Sequence, residues 1–149
     1  MSHVTAIKKV PIKDLMALKN AVEELGGVLK LDQKEYKWFG THVGDYPLPE
    51  GIKVEDLGKC ECAAKFKGIN YEVGFAKDKD GLFPLFDFWG AGGVNDGEVL
   101  QKVIGDGAGK LMQAYSKHAA INAATLAGYS VMGTSLDEEG NLHLEIGIY

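Results

Sequence analysis

The sequence predicts an α+β fold: a two-layer sandwich, with two long helices on one face of a mainly antiparallel sheet. Three observations predict it. An apolar stripe of helical period lies near the N-terminus, a run of short alternating strands joined by turn residues fills the middle, and a second helical stripe precedes a closing hairpin pattern. The chain has 149 residues, 46% hydrophobic and 25% charged. That suits one α+β domain over 1–149 with a single core.

The elements follow in order. "HVTAIKKV", residues 3–10, is rich in β-branched residues and reads as a first strand, ended by Pro11. "IKDLMALKNAVEELGG" places Leu15, Leu18, Val22 and Leu25 on one helical face. Asp14 is a fitting cap, Gly26 and Gly27 are the stop, and Lys19, Asn20, Glu23 and Glu24 form a solvated face. "VLKLD" and "EYKWFGTHV" are two strand candidates around a turn at Asp32-Gln33-Lys34. Residues 44–58, with two of the four prolines and three glycines, read as a long surface loop. Tyr46, Leu48 and Ile52 are the residues that would order it.

"KCECAAKF" and "NYEVGFAK", joined through Lys67-Gly68-Ile69, predict a hairpin. Asp78-Lys79-Asp80-Gly81 is a second tight turn, leading into the strand "LFPLFDFW". Both faces of that strand read as buried except at Asp87, and Pro84 suggests an edge or a strand start. After "GAGGVNDG" the spacing predicts a helix over 96–127, capped by Asp96, bent near Gly105–Gly109 and stopped by Gly128. "YSVMGTSLDEEGNLHLEIGIY" reads as the closing hairpin, turning at Glu138-Glu139-Gly140-Asn141. The expected sheet has seven or eight strands.

Charge narrows the function. The net charge is −5, and all sixteen basic residues are lysine. Arginine supplies the planar fork that matches phosphate, carboxylate and guanine edges, and a net-acidic chain lacks the basic footprint that counterion release rewards. Nucleic acid is therefore not an expected partner. No apolar run approaches the roughly 20 residues of a membrane span. The N-terminus lacks the apolar core of a secretory signal, so the expected location is cytoplasmic.

Cys60 and Cys62 form a C-x-C. A disulfide between them would be badly strained, and a zinc site would need two further ligands, so they read as strand cysteines. No metal and no cofactor is expected.

The order of elements resembles a known family. "TAIKKVPIKDLMALKNAVEELG", "YEVGFAKDKDG", "FDFWG", "AYSKHAAINAATLAGYSV" and "DEEGNLHLEIGIY" carry the resemblance, in that order along most of the chain. They are similar to the uncharacterised family first noted as hypothetical chloroplast reading frame thirty-five, found in algal plastids, cyanobacteria and other bacteria. The glycine-rich "GDGAGK" and the lack of arginine depart from its pattern. The resemblance implies a single small domain of this fold and assigns no catalytic residue.

Candidate sites are few. "GDGAGK" fails the P-loop template at both ends, because Ile104 stands where glycine is needed and Leu111 follows Lys110. It reads instead as a helix kink. Asp87, between Phe86 and Phe88 and ahead of Trp89, is a carboxylate in an apolar setting. It either faces solvent, accepts N–H bonds from the glycine turn, or belongs to a site. Should a ligand site exist, it would lie beside Asp87 and Trp89, roofed by glycines such as Gly92. Tyr115 and His118 share a helical face and complete the candidate set. The favoured function is a non-enzymatic binding or assembly module for a small molecule, a protein partner or a second copy of the chain. The alternative is an enzyme using Asp87 with His118 and Tyr115.

Overall fold

The structure is a computed structural model and describes residues 4–6, 10–38, 48–49, 51–88, 96–139 and 141–148. Strand β1 (Val4–Ala6) is followed by helix α1 (Leu15–Glu24), β2 (Gly27–Lys30), β3 (Cys62–Phe66), β4 (Val73–Asp78) and β5 (Gly81–Asp87). Helices α2 (Asp96–Ile104) and α3 (Gly109–Leu126) then lead into β6 (Tyr129–Leu136) and β7 (Leu142–Ile148). The strands make a five-stranded antiparallel sheet, ordered β1-β5-β4-β3-β2, and a separate two-stranded ribbon of β6 and β7. The α+β class and the helices on one sheet face are as expected. The single seven- or eight-stranded sheet is not, because the closing hairpin pairs only with itself among the described residues.

Helix α1 begins where Asp14 accepts the Ala17 N–H at 2.9 Å, which satisfies a donor that the first turn leaves orphaned. Its buried face is Ala17, Leu18, Ala21 and Val22. Leu15, expected on the stripe, is instead 47% exposed. The buried face is centred on Ala17, Leu18, Ala21 and Val22, which leaves Leu15 at its edge. The main core joins α1, α2 and the first half of α3 to one face of the sheet, with Phe75, Phe86, Leu18, Leu100 and Leu111 at its centre.

The other face is also covered, which two-sided apolarity in β3–β5 requires. Ala63, Phe83 and Leu85 lie under Tyr36, with Trp38, Ile52, Leu57 and Cys60 packed around them. "EYKWFGTHV" therefore does not form the expected strand over its described residues: only Glu35 bridges, to Lys59. The Tyr36 N–H donates to the Gly58 carbonyl at 2.9 Å, the Cys60 N–H to Lys34 at 2.9 Å and the Glu72 N–H to Lys37 at 2.9 Å. These bonds lay the segment across the sheet as an irregular coat. Gly74 makes this possible, since a Cβ there would sit 2.2 Å from the Tyr36 ring. In the 44–58 loop, Leu48 is half-buried, residues 54–56 form one 3-10 turn and Ile52 and Leu57 pack inward; Tyr46 lies outside the described residues.

The turns follow the residues that announced them. Asp78 accepts the N–H groups of Asp80 and Gly81 at 2.8 and 3.2 Å, which tightens the β4–β5 connection. Pro84 corrects its expectation: it is buried within β5, opposite Phe75 of β4. On the other side, the described pairs are those of Val4–Ala6 with Leu85–Asp87 and of Ile12 with Leu82, which leave Pro84 out.

The predicted bend is also present. Gly105, Gly107 and Ala108 all have positive φ, and the Gly105 Cβ position would lie 2.7 Å from the Lys110 nitrogen. Glycine's freedom lets α2 fold back into α3 there. No described helix is long and apolar enough to cross a membrane.

Candidate functional site

Of the five residues singled out from the sequence, the three that are described do not come together: Asp87 lies on one side of the sheet and Tyr115 and His118 on the other. Trp89 and Gly92 lie outside the described residues. Asp87 is 1% exposed and alternates along β5 with Phe86, which belongs to the helix-side core, so its side chain lies on the coat side with Phe83 and Leu85. This overturns the solvent-facing reading. Phe86 and Phe88 stack on the opposite face, their ring centroids 4.7 Å apart.

Tyr115 and His118 sit on α3, across the sheet from Asp87, and each is engaged with α1. The Tyr115 hydroxyl accepts the N–H groups of Lys13 and Asp14 at 3.0 and 3.2 Å, at the start of α1. Asn122, one turn on from His118, donates to Asp14 at 3.1 Å. His118 meets Glu24 at 3.2 Å at the far end of the same helix, and Lys117 bonds the same carboxylate oxygen. The Lys117 ammonium holds the Glu24 carboxyl below its ordinary range. A phenol, an imidazole and a carboxylate that act together must share one reacting position. Tyr115 and His118 instead fasten the two ends of α1, on the side of the sheet away from Asp87.

Under the coat, Tyr36 and Asp87 are close enough to interact electrostatically. Burial, the largest cause, pushes the Tyr36 phenol above its usual range, and Asp87 adds to it. Its hydroxyl is buried and has no hydrogen-bond partner among the described residues. Burial also raises the thiols: Cys60 is pushed up to about 11, and Cys62 is raised with it. Both are free thiols held in the protonated form at neutral pH, a poor state for a nucleophile. Among the described residues no three His, Cys, Asp or Glu side chains gather as a ligand cluster.

Several grooves of similar size mark the described surface, three of them beside the helices or over the coat. One, about 470 Å³, runs between α1, α3 and the ribbon, with the Glu24–Lys117 pair in its wall. Another, about 440 Å³, lies over the coat side, where Lys59 and Lys77 are matched by Asp56, Glu61 and Asp78. The third, about 480 Å³, opens beside the start of α1.

This third groove has a different character. Its floor is Ile12, Leu82 and Cys62, held by reciprocal backbone bonds of 2.9 Å between Ile12 and Leu82. Leu15 and Leu31 form apolar walls, 47% and 56% exposed. Lys13, Lys34 and Lys77 stand around it against one carboxylate, Glu61. Lys34 is fixed at the rim by donating to the Glu61 carbonyl at 2.7 Å.

Sequence reasoning missed this groove because its residues come from five separate segments. The one sign in the sequence was Leu15, an apolar residue in the first turn of a helix whose buried face turned out to lie elsewhere. No family model, curated protein or solved structure matches the chain.

Proposed function

We propose that this protein is a non-enzymatic binding module whose working surface is the groove beside the start of α1. Its ligand is a small anion with an apolar body, of which a medium-chain carboxylate is the simplest example. The observation that carries this reading is the three-to-one excess of lysine over carboxylate around an apolar floor, in a chain whose net charge is −5. Apolar walls bury the ligand's body, and the lysines give its charged end a site.

The groove's volume falls within the roughly 300–1,000 Å³ usual for small-molecule sites. An enzyme built on Asp87, His118 and Tyr115 gains no support, since those groups lie on two sides of the sheet. The two free thiols suit a reducing compartment, and we place the protein in the cytoplasm, with neither nucleic acid nor membrane as partner.

Calorimetry with octanoate, octanol and octylammonium tests the proposal. Octanoate is expected to bind saturably at one site, octanol more weakly, and octylammonium not at all. Lys34→Glu with Lys77→Glu should weaken octanoate binding about tenfold or more, equivalent to about 1.4 kcal/mol. Equal binding of octylammonium, or octanoate binding untouched by the two substitutions, would remove the groove as the site.

A further inference from the structure

The β6–β7 ribbon is a second, independent feature with an unmet requirement. Two-stranded hairpins are marginal alone and need further strands or a covering element. Along β7, Leu142, Leu144 and Ile146 share one face, and their partners on β6 include Leu136 and Val131. Helix α3 packs mainly over β6 and only lightly over β7. Ile146 of β7 remains 45% exposed, and Leu136 at the end of β6 and Leu126 at the end of α3 are 53% and 89% exposed.

The two edges of the ribbon differ. That of β6 is interrupted by a bulge between Val131 and Gly133, a common guard against strand addition. That of β7 is regular through Ile148. No lysine and no proline, the usual edge-blocking residues, occurs anywhere from Tyr129 to Tyr149. The main sheet is protected by contrast: β1 has three residues, and β2 has four and ends in Lys30.

We infer that β7 pairs with β7 of a second copy, antiparallel about a two-fold axis through Leu144. The two ribbons then make one four-stranded sheet. A two-fold axis perpendicular to a sheet keeps each residue on its own face, so the possible registers differ by which residue lies on the axis. Centring on Glu145 would set two glutamates opposite each other, and centring on His143 would set two histidines opposite each other. Centring on Leu144 places Leu144 against its copy, Leu142 against Ile146 and His143 against Glu145. The central pairs then join apolar groups, with a His143 and Glu145 hydrogen-bonding pair on either side of the axis. The apolar face of β7 continues across the axis, and the α3 helices of both copies cover the widened sheet. The interface is isologous and closed, as two-fold pairs are.

Sedimentation over a wide concentration range, with covalent trapping, tests this. The full chain is expected to reach twice its 16.1 kDa mass. Glu145→Lys, an exposed change that adds an edge lysine opposite His143, should weaken the dimer about tenfold or more. Leu144→Cys, on the axis, should form an intermolecular disulfide under mild oxidation. Ser135→Cys on the bulged strand, and the parent chain with Cys60 and Cys62, should not. A chain that stays monomeric at every concentration overturns the inference. So does a dimer that Glu145→Lys leaves intact and Leu144→Cys fails to trap. Octanoate binding by the Glu145→Lys monomer keeps this test separate from that of the groove.

Discussion

At Tyr36 and Asp14 the chemistry of single residues decides what a substitution does. The Tyr36 hydroxyl is buried without a hydrogen-bond partner among the described residues, and an unmet buried donor costs about 1–3 kcal/mol. Tyr36→Phe keeps the ring over Gly74 and removes that donor, so urea denaturation should show an unchanged or higher stability. A clear loss would mean that the hydroxyl is satisfied. Gly74→Ala should do the reverse, destabilising by about 1–3 kcal/mol as the new methyl meets the Tyr36 ring. Asp14 is held below its ordinary range first by the Ala17 N–H and then by Asn122. Its folded value is therefore depressed, so its contribution is complete above the unfolded value near about 3.9 and lost as pH falls through the folded value. Asp14→Asn should flatten that part of the acid limb of a stability–pH curve, and Asp14→Ala should cost about 1 kcal/mol at neutral pH. Tyr115→Phe removes the acceptor for two N–H groups at the same helix end, and a loss of about 1–3 kcal/mol is expected.

Among the elements, those with strong local signals were legible in the sequence. Asp14 and Gly26 bracket α1, Asp78 and Gly81 close the β4–β5 turn, and the positive φ values at Gly105, Gly107 and Ala108 sit where the glycine cluster predicted a bend. What was not legible depends on contacts distant in sequence. Alternation marked Tyr36 as a strand residue, yet its backbone bonds go to Gly58, because small residues at Ala63 and Gly74 leave room for its ring on the sheet. The closing hairpin was readable, with Asp137 accepting from Glu139 and Asn141 at its turn. Its detachment from the main sheet was not, since period-two patterning marks a buried face without naming what buries it. The same reasoning predicts unequal stability. Backbone amides of β4 and β5, covered on both faces, should exchange with solvent only through global unfolding. Those of β6 and β7 should exchange faster in a dilute sample, through local opening of the ribbon. Equal protection in the two sheets would contradict this division.

Over the whole molecule, one sheet separates two sets of polar groups. On the helix side, Tyr115, Asn122, His118 and Lys117 fasten the two ends of α1. On the coat side, Asp87 and Tyr36 are shut in beneath an irregular segment. Among the described residues neither set lines an open reacting position, and in the lysine-framed groove at the start of α1 exposed apolar surface meets a three-to-one excess of lysine. The most direct test of that account is a residue-resolved nuclear magnetic resonance titration with octanoate. The account predicts saturable amide shifts concentrated at Ile12–Leu15, Leu31–Lys34 and Lys77–Leu82, with none of comparable size for octylammonium. Shifts centred on the coat-side residues around Phe83 and Asp87, or no saturable shift at all, would contradict it.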